Sequence, residues 1–92
     1  TINIMKIIYD AAKNTSNARK HGVTLAEAAA FEWDTAVLWP DQRKEYGEDR
    51  MIALGYIGSR IFCMTFVDRQ EGRRIISLRK ANNREVKRYA ST

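Results

Sequence analysis

The sequence predicts a single α+β domain in which helices cover one face of an antiparallel sheet, in the order β-α-α-β-β-β-β-α. With 92 residues, the chain can form one domain with a modest core. Its second half contains successive apolar segments of strand length, separated by short turn signals. Consecutive strands joined by hairpin loops are typical of antiparallel sheets, and the helical segments then pack on the sheet.

The chain begins with a predicted short strand, Met5–Tyr9, and continues into a helix. Asp10 is suited to cap the start of this helix, because its side chain can accept a hydrogen bond from a free backbone N–H. The helix is expected to run to about His21, where Gly22 can adopt the left-handed conformation that ends helices. We expect Thr1–Ile4, which precede a methionine, to be an upstream extension or a cloning remnant.

This first helix is unusually polar for an element of a small domain. Its apolar stripe is narrow, so it has little to bury against a sheet. Three polar side chains lie at helical spacing along one side, namely Asn14, Asn17 and His21. The helix is therefore either a solvent-facing element or one that faces a ligand or a partner chain.

A second helix is predicted at about residues 25–32. Thr24 and Glu27 have the spacing of a capping box, in which each side chain bonds to the other residue's backbone. The alanines that follow favour a helix. Phe31 and Trp33, at its end, are interpreted as core anchors.

The middle of the chain predicts a short strand and a hairpin. Pro40 closes the strand Val37–Trp39, and a charged loop follows. Segments 50–57 and 60–67 flank Gly58-Ser59, and a two-residue loop that begins with glycine suits a type II′ turn. This register would pair residue 57 with 60, and residue 55 with 62. The apolar side chains that share one face then form the predicted main core: Met51, Ala53, Ile57, Phe62, Met64 and Phe66.

The next predicted strand, residues 72–81, alternates in a way that suggests a cationic groove. Strict alternation would place Ile76 and Leu78 in the core, on the same face as Arg74 and Lys80. The opposite face would carry Arg73, Ile75, Ser77 and Arg79, with Ser77 and Arg79 as the floor of a groove. An ordinary half-buried strand with solvated arginines is the alternative. A last helix, about 84–90, is expected to be capped by Asn82 or Asn83.

The charge distribution points to an anionic partner. Residues 1–46 contain six Lys or Arg and six Asp or Glu, whereas residues 47–92 contain ten and five, so the second half carries the whole net charge of +5. A basic half of a small protein favours nucleic acid as the partner, although basic residues also serve solubility.

We expect no transmembrane segment and no secretory leader. The single cysteine, Cys63, is interpreted as a buried apolar side chain that fits a reducing cytoplasm.

The residue inventory excludes several kinds of site and leaves one reaction open. One His and one Cys without clustered ligand spacing do not predict a metal site, and no glycine-rich phosphate loop predicts a nucleotide cofactor. RNA can cleave itself through its own 2′-hydroxyl, so a protein need supply only proton transfer and stabilisation of the anionic phosphorane. Arginine suits the stabilising role, and His, Glu, Lys or Tyr can transfer protons.

Four groups of residues form a recognisable set of motifs: Asn17-x-x-Lys20-His21-Gly22-Val23 with Ala28-Ala29, Gly47-Glu48-x-Arg50 with Gly55, Arg74-Ile75-Ile76-Ser77-x-Arg79-x-Ala81, and Glu85-x-x-x-Tyr89. With these motifs the chain resembles the BrnT family of toxins over nearly the whole domain, from Tyr9 to Tyr89. The family often has Glu-Trp-Asp where this chain has Ile8-Tyr9-Asp10.

The resemblance implies a RelE-like fold and a cytoplasmic, cofactor-independent endoribonuclease that arrests translation and growth. It also implies a BrnA-type ribbon-helix-helix antitoxin, expected in a 2:2 complex that binds operator DNA mainly through the antitoxin. A non-catalytic nucleic-acid-binding module and a protein-interaction domain are the alternatives.

We assign candidate roles to nine residues. Arg79 and Arg50 are expected to bind the phosphate, with Arg73 or Arg74 assisting. His21 and Glu48 are the candidates for proton transfer, and Glu48 is equally well explained as a salt-bridge partner of Arg50. Further candidates for RNA binding are Lys20, Lys80 and Tyr89.

Overall fold

The structure, a computed structural model, describes residues 6–92. Its elements confirm the α+β class and the predicted order. Met5 and the Thr1–Ile4 segment lie outside the described residues. No helix within 6–92 is long and apolar enough to span a membrane. The elements are strand β1 (Ile7–Ile8), helix α1 (Ala11–His21), a 3₁₀ helix (Leu25–Ala30), strands β2 (Val37–Pro40), β3 (Met51–Ile57), β4 (Arg60–Arg69) and β5 (Gly72–Lys80), and helix α2 (Asn83–Ala90).

The five strands form one sheet in the order β1-β5-β4-β3-β2. Strands β2 to β5 are antiparallel to their neighbours, as predicted. Strand β1, however, pairs with β5 in the parallel direction, so the expectation of a purely antiparallel sheet is wrong at this edge. Hairpin connections fix the direction of β3, β4 and β5, but β1 has no neighbouring strand along the chain, so its direction could not be read from a turn.

The predicted hairpin is confirmed in its register and its turn. Ile57 pairs with Arg60 and Gly55 with Phe62. Gly58 has a φ of 63°, and Ser59 does not have a positive φ. A positive φ at the first turn residue alone is the pattern of a type II′ turn.

The sheet has two faces with different covers, which we call the α1 face and the α2 face. The α1 face carries Ala53, Met64 and Leu78, and it is covered by α1 and the 3₁₀ helix. The predicted main core lies on this face and is confirmed. The α2 face carries a smaller cluster, Ile52, Leu54 and Cys63, against which Tyr89 of α2 packs. The expectation that all helices lie on one face is therefore wrong, because this second apolar cluster also needs a cover. The buried members of the larger cluster are Val23, Leu25, Ala28, Phe31, Ala53, Phe62, Met64, Phe66, Ile75 and Leu78.

An irregularity in β5 changes which side chains face the core. Thr65 pairs with Ser77 while Phe66 pairs with Ile75, so Ile76 is an extra residue in β5, as in a β-bulge. Ile75 is consequently fully buried and Ile76 only half-buried. The prediction that Ile76 and Arg74 share the core face with Leu78 is wrong, since strict alternation holds only while the register is unbroken.

The polar character of α1 is largely explained by contacts within the fold. Strand β1 pairs only with Arg73 and Arg74, so it leaves the edge of β5 near Leu78 without a strand partner. The Asn17 side chain donates to the Leu78 carbonyl at 2.6 Å and accepts from the Leu78 N–H at 3.2 Å. Asn14 Oδ1 likewise accepts from the Ala26 N–H. Of the polar side chains along one side of α1, Asn14 and Asn17 therefore bond to the rest of the protein and do not face a ligand, which leaves His21.

The second helix is a 3₁₀ helix that is shorter than predicted, at Leu25–Ala30, and it begins at the expected capping box. Glu27 accepts from the Thr24 N–H at 2.9 Å. Phe31 is buried as expected, and it lies directly over Gly55, where a Cβ would approach its ring to 2.6 Å. The absence of a side chain at Gly55 thus lets the Phe31 ring pack directly against β3 on the α1 face.

Candidate functional site

Three of the predicted phosphate-binding side chains lie on the α2 face. Arg79 lies beside Cys63, and Arg74 lies beside Val67 on the neighbouring strand. Arg50 immediately precedes β3, and the alternation that puts Ile52 on this face puts Arg50 there too. We call Arg50, Arg74, Ser77 and Arg79 the basic surface; it lies on the α2 face, and its member Arg79 contacts α2 itself.

Arg79 is held in one orientation by α2. Its Nη1 and Nη2 donate to the two carboxylate oxygens of Glu85 at 2.7 and 2.8 Å. Glu85 also accepts from the Asn82 N–H in the capping box that begins α2. These bonds raise the pKa of Arg79 and lower the pKa of Glu85. The guanidinium therefore stays charged and fixed, and an anion must bind to its other N–H donors or replace Glu85.

Glu48 lies between two arginines. Arg50 Nε donates to one carboxylate oxygen at 3.2 Å, and Arg69 Nη2 donates to the other at 2.8 Å. Arg50 also stacks over the Tyr46 ring, 4.2 Å from its centroid. The salt bridge between Glu48 and Arg50 is thus present, and it orients Arg50 at the edge of the basic surface.

Arg73 and Arg74 lie on opposite faces of the sheet. Arg73 is on the α1 face, where it bonds Asp68 at 2.6 and 3.0 Å and stacks over Phe66. Only 15% of its side chain is exposed. Arg74 is on the α2 face and lines a cavity of about 250 Å³ with Asp10. Of the two, only Arg74 belongs to the basic surface.

His21 and Lys20 lie at the edge of the sheet, apart from Arg79. Both line a cavity of about 230 Å³ between α1 and β5. Ser77 lines the same cavity and is also part of the basic surface. Ser77 lies between Arg74 and Arg79 on β5, so the structure brings His21 to the β5 edge of this surface, while the other two RNA-binding candidates lie elsewhere.

Those two candidates are Lys80 and Tyr89. Lys80 pairs with Phe62, which places it on the α1 face, where it is exposed. The Tyr89 hydroxyl donates to the Thr35 carbonyl at 3.0 Å, and its ring makes an edge contact with Tyr56. Tyr89 therefore anchors α2 to the sheet.

Sequence reasoning missed a second group of arginines beside Arg79. The loop after β2 and the exposed side of α2 enclose a cavity of about 330 Å³, which we call the arginine pocket. The spacing of Arg84 and Arg88, four residues apart on one helix, was the signal that could have revealed it. The residues that line the pocket are Trp39, Pro40, Asp41, Gln42, Arg43, Ile52, Arg84, Glu85 and Arg88.

Arg43 is held in this pocket by an ion pair with Asp41. Its Nε and Nη2 donate to the two oxygens of Asp41, each at 2.7 Å. The Asp41 side chain is fully buried, whereas 67% of the Arg43 side chain is exposed. The hydrogen bonds from Arg43 lower the pKa of Asp41 from 3.8 to about 2.

Cys63 lies under the pair formed by Arg79 and Glu85, and it is buried as predicted. Burial raises the pKa of its thiol to about 11, so the thiolate is not formed at neutral pH. Within residues 6–92, no three His, Cys, Asp or Glu side chains cluster as metal ligands would.

The chain matches the model of a known protein family. The model of a family described as "Ribonuclease toxin, BrnT, of type II toxin-antitoxin system" matches residues 9–85 of this chain. The matched segment contains the basic surface, His21 and Glu85. A search of curated proteins found no match.

Proposed function

We propose that this chain, which belongs to the BrnT family of ribonuclease toxins of type II toxin–antitoxin systems, cleaves RNA on its basic surface without a metal ion. The observation that supports this site is that Arg74 and Arg79 lie on the α2 face of β5, the face to which strand alternation from Ile52 also assigns Arg50. Cleavage of cytoplasmic RNA would arrest translation and growth.

The proposed reaction uses the substrate's own nucleophile. The 2′-oxygen of one nucleotide attacks the adjacent phosphorus, so an O2′–P bond forms and the P–O5′ bond breaks. A base removes the proton of the 2′-hydroxyl, and an acid gives a proton to the leaving 5′-oxygen. The products are a 2′,3′-cyclic phosphate and a 5′-hydroxyl.

Arg79 is proposed to stabilise the phosphorane. Its guanidinium is oriented before substrate arrives because Glu85 bonds both terminal nitrogens. Preorganised donors stabilise developing negative charge at little reorganisation cost. Arg50, oriented by Glu48, and Arg74 are proposed to bind the phosphates on either side.

His21 is our first candidate for proton transfer. It is exposed in a cavity that Ser77 also lines, and Ser77 lies between Arg74 and Arg79 on β5. Glu48, the other candidate, already accepts hydrogen bonds from Arg50 and Arg69, so it is better suited to orienting Arg50. Lys20 shares the cavity of His21 and is proposed to position the RNA strand.

The partner is proposed to be a BrnA-type antitoxin with a ribbon-helix-helix part. Because such parts form dimers, one antitoxin dimer would carry two toxins in a 2:2 complex and supply the contacts to operator DNA. The net charge of +5 favours an antitoxin segment that is acidic where it covers the basic surface. Light scattering of the co-purified pair should give the 2:2 mass, and a stable 1:1 particle would contradict it.

The experiment that tests the activity is incubation of the purified protein with RNA in excess EDTA. We expect cleavage to continue and to leave 2′,3′-cyclic phosphate ends. An RNA of the same sequence with 2′-O-methyl groups should resist cleavage, since its nucleophile is blocked. Cleavage of the methylated RNA, or loss of all cleavage in EDTA, would contradict the proposed chemistry.

A further inference from the structure

The arginine pocket adjoins the proposed site of cleavage. Glu85 lines the pocket and also bonds Arg79, so the pocket begins at the residue that orients the proposed phosphate ligand. Its volume of about 330 Å³ is of the size that holds a small organic group such as a nucleotide. A strand bound at Arg79 would therefore reach it with an adjacent nucleotide.

The pocket has an excess of positive charge that is not neutralised within the fold. Its two carboxylates are already engaged, Asp41 by Arg43 and Glu85 by Arg79. Neither Arg84 nor Arg88 forms an ion pair with a carboxylate among residues 6–92. Two exposed guanidinium groups thus remain beside an anion-binding arginine, which favours a phosphate.

The pocket also offers a flat surface for a base. The Arg88 guanidinium lies over the Trp39 ring, 3.6 Å from its centroid. Trp39 itself lies beside Ile52, which is buried in the cluster of the α2 face. At this distance the guanidinium is in stacking contact with the indole, and the exposed side of a stacked guanidinium is a surface on which an unpaired base can stack.

We propose that the arginine pocket binds the RNA nucleotide next to the scissile phosphate, with Arg84 on its phosphate and its base stacked on Arg88. The proposal rests on the proposed function for the identity of the scissile phosphate. Stacking and charge discriminate little between bases, so the pocket extends the contact with RNA and does not by itself set a sequence.

Binding of an RNA that cannot be cleaved tests this site. The probe is a fluorescent 2′-O-methyl RNA decamer, and the variants are Arg84→Ala and Arg88→Ala. Lys87→Ala is the matched control, because Lys87 is an exposed cation of the same helix that does not line the pocket. We expect each arginine variant to weaken binding about tenfold relative to the control. In the Arg84→Ala protein, the slope of log affinity against log salt should fall by about 0.7. An equal loss in all three variants would overturn the site.

Decamers with a single abasic position separate stacking from charge. Because the pocket sets no sequence, the abasic position is moved through the decamer and the affinities are averaged over all positions; the average loss should be present in the wild-type protein and smaller in Arg88→Ala. The same abasic penalty in both proteins would overturn the stacking role. Because the probe resists cleavage, these results are independent of the EDTA test. A protein that binds RNA through the pocket but cleaves no RNA would refute the proposed reaction, whereas the binding role of the pocket would still stand.

Discussion

The two faces of the sheet are made by the same strands but are closed to different degrees. On the α1 face, ten buried residues form one cluster that includes Phe31 from the chain after the 3₁₀ helix. On the α2 face, three buried residues form a cluster covered by an eight-residue helix that has no buried residue of its own. Three charged residues of α2 lie at the candidate sites: Glu85 bonds Arg79, and Arg84 and Arg88 line the arginine pocket.

The larger core and the arginines of the basic surface thus lie on opposite faces of the sheet. Because most buried apolar side chains are on the α1 face, the α2 face can keep arginines near solvent. Even the arginine on the α1 face, Arg73, is paired and stacked on aromatic rings. We therefore expect substitutions on the α1 face to act on stability, and those on the basic surface to act on cleavage.

The largest expected effect on stability comes from a matched pair of leucines. Leu78 and Leu54 are both fully buried, on the α1 face and the α2 face respectively. Leu78→Ala should cost about 3–5 kcal/mol and Leu54→Ala about 2–3 kcal/mol, because a thinly covered site can collapse more easily around the cavity. Urea unfolding measures both. An equal or greater loss for Leu54→Ala would show that the faces do not differ in this way.

The next largest effect is expected at the edge where the faces meet. If His21 transfers a proton, His21→Gln should slow RNA cleavage about 100-fold while the melting temperature changes little. Arg19→Gln is the control, since Arg19 is exposed in the same last turn but does not line the cavity of His21. A His21→Gln protein with lower stability and unchanged cleavage would assign the residue to the helix end alone.

Asn17→Ala should destabilise the α1 side without touching the basic surface. The substitution leaves the backbone groups of Leu78 unpaired in a buried position, and we expect a loss of about 2 kcal/mol in the free energy of unfolding. Hydrogen exchange should also show less protection of the Leu78 amide. Ser16→Ala, an exposed neighbour, should change stability by less than about 0.5 kcal/mol. Equal protection of Leu78 in both variants would contradict the edge contact.

The smallest effect concerns Asp41 and depends on pH. Its pKa is about 2 in the folded protein, below the ordinary 3.8, so its contribution to stability is present above about pH 4 and is lost as the pH falls towards 2. Asp41→Asn should therefore lower the free energy of unfolding by about 1–2 kcal/mol at neutral pH. This difference between the variant and the wild type should nearly vanish near pH 2. A difference in the free energy of unfolding that stays constant from neutral pH to pH 2 would contradict the pairing with Arg43.

Local patterns were sufficient to predict most of the fold. The glycine of the Gly58-Ser59 turn predicted the hairpin register, and cap signals at Asp10 and at Asn82 or Asn83 predicted the helix starts to within one residue, since these signals depend on neighbouring residues only. The parallel pairing of β1 and the extra residue Ile76 depend on contacts across strands, which a turn signal does not report.

The same limit applies to the site. Arg79 and Ser77 could be placed on one face because they lie two residues apart on the unbroken part of β5. The sequence could not show which of Arg73 and Arg74 shares the face of Ser77. The extra residue Ile76 lies between them and Ser77, and it exchanges the faces that strict alternation would give the two arginines. Arg43 was missed because its neighbour at the pocket, Arg88, comes from an element that is distant in sequence.

If RNA is cleaved on the α2 face, substitution of Arg79 and of Arg73 should have opposite consequences for cleavage and stability. Both are arginines of β5 paired with a carboxylate, but on opposite faces. Cleavage rates in EDTA should fall about 100- to 1,000-fold for Arg79→Ala in a protein shown to be folded. Arg73→Ala should cleave at nearly the wild-type rate and lose stability instead. Full cleavage by a folded Arg79→Ala protein, or an equal loss of rate in both variants, would contradict cleavage on the α2 face.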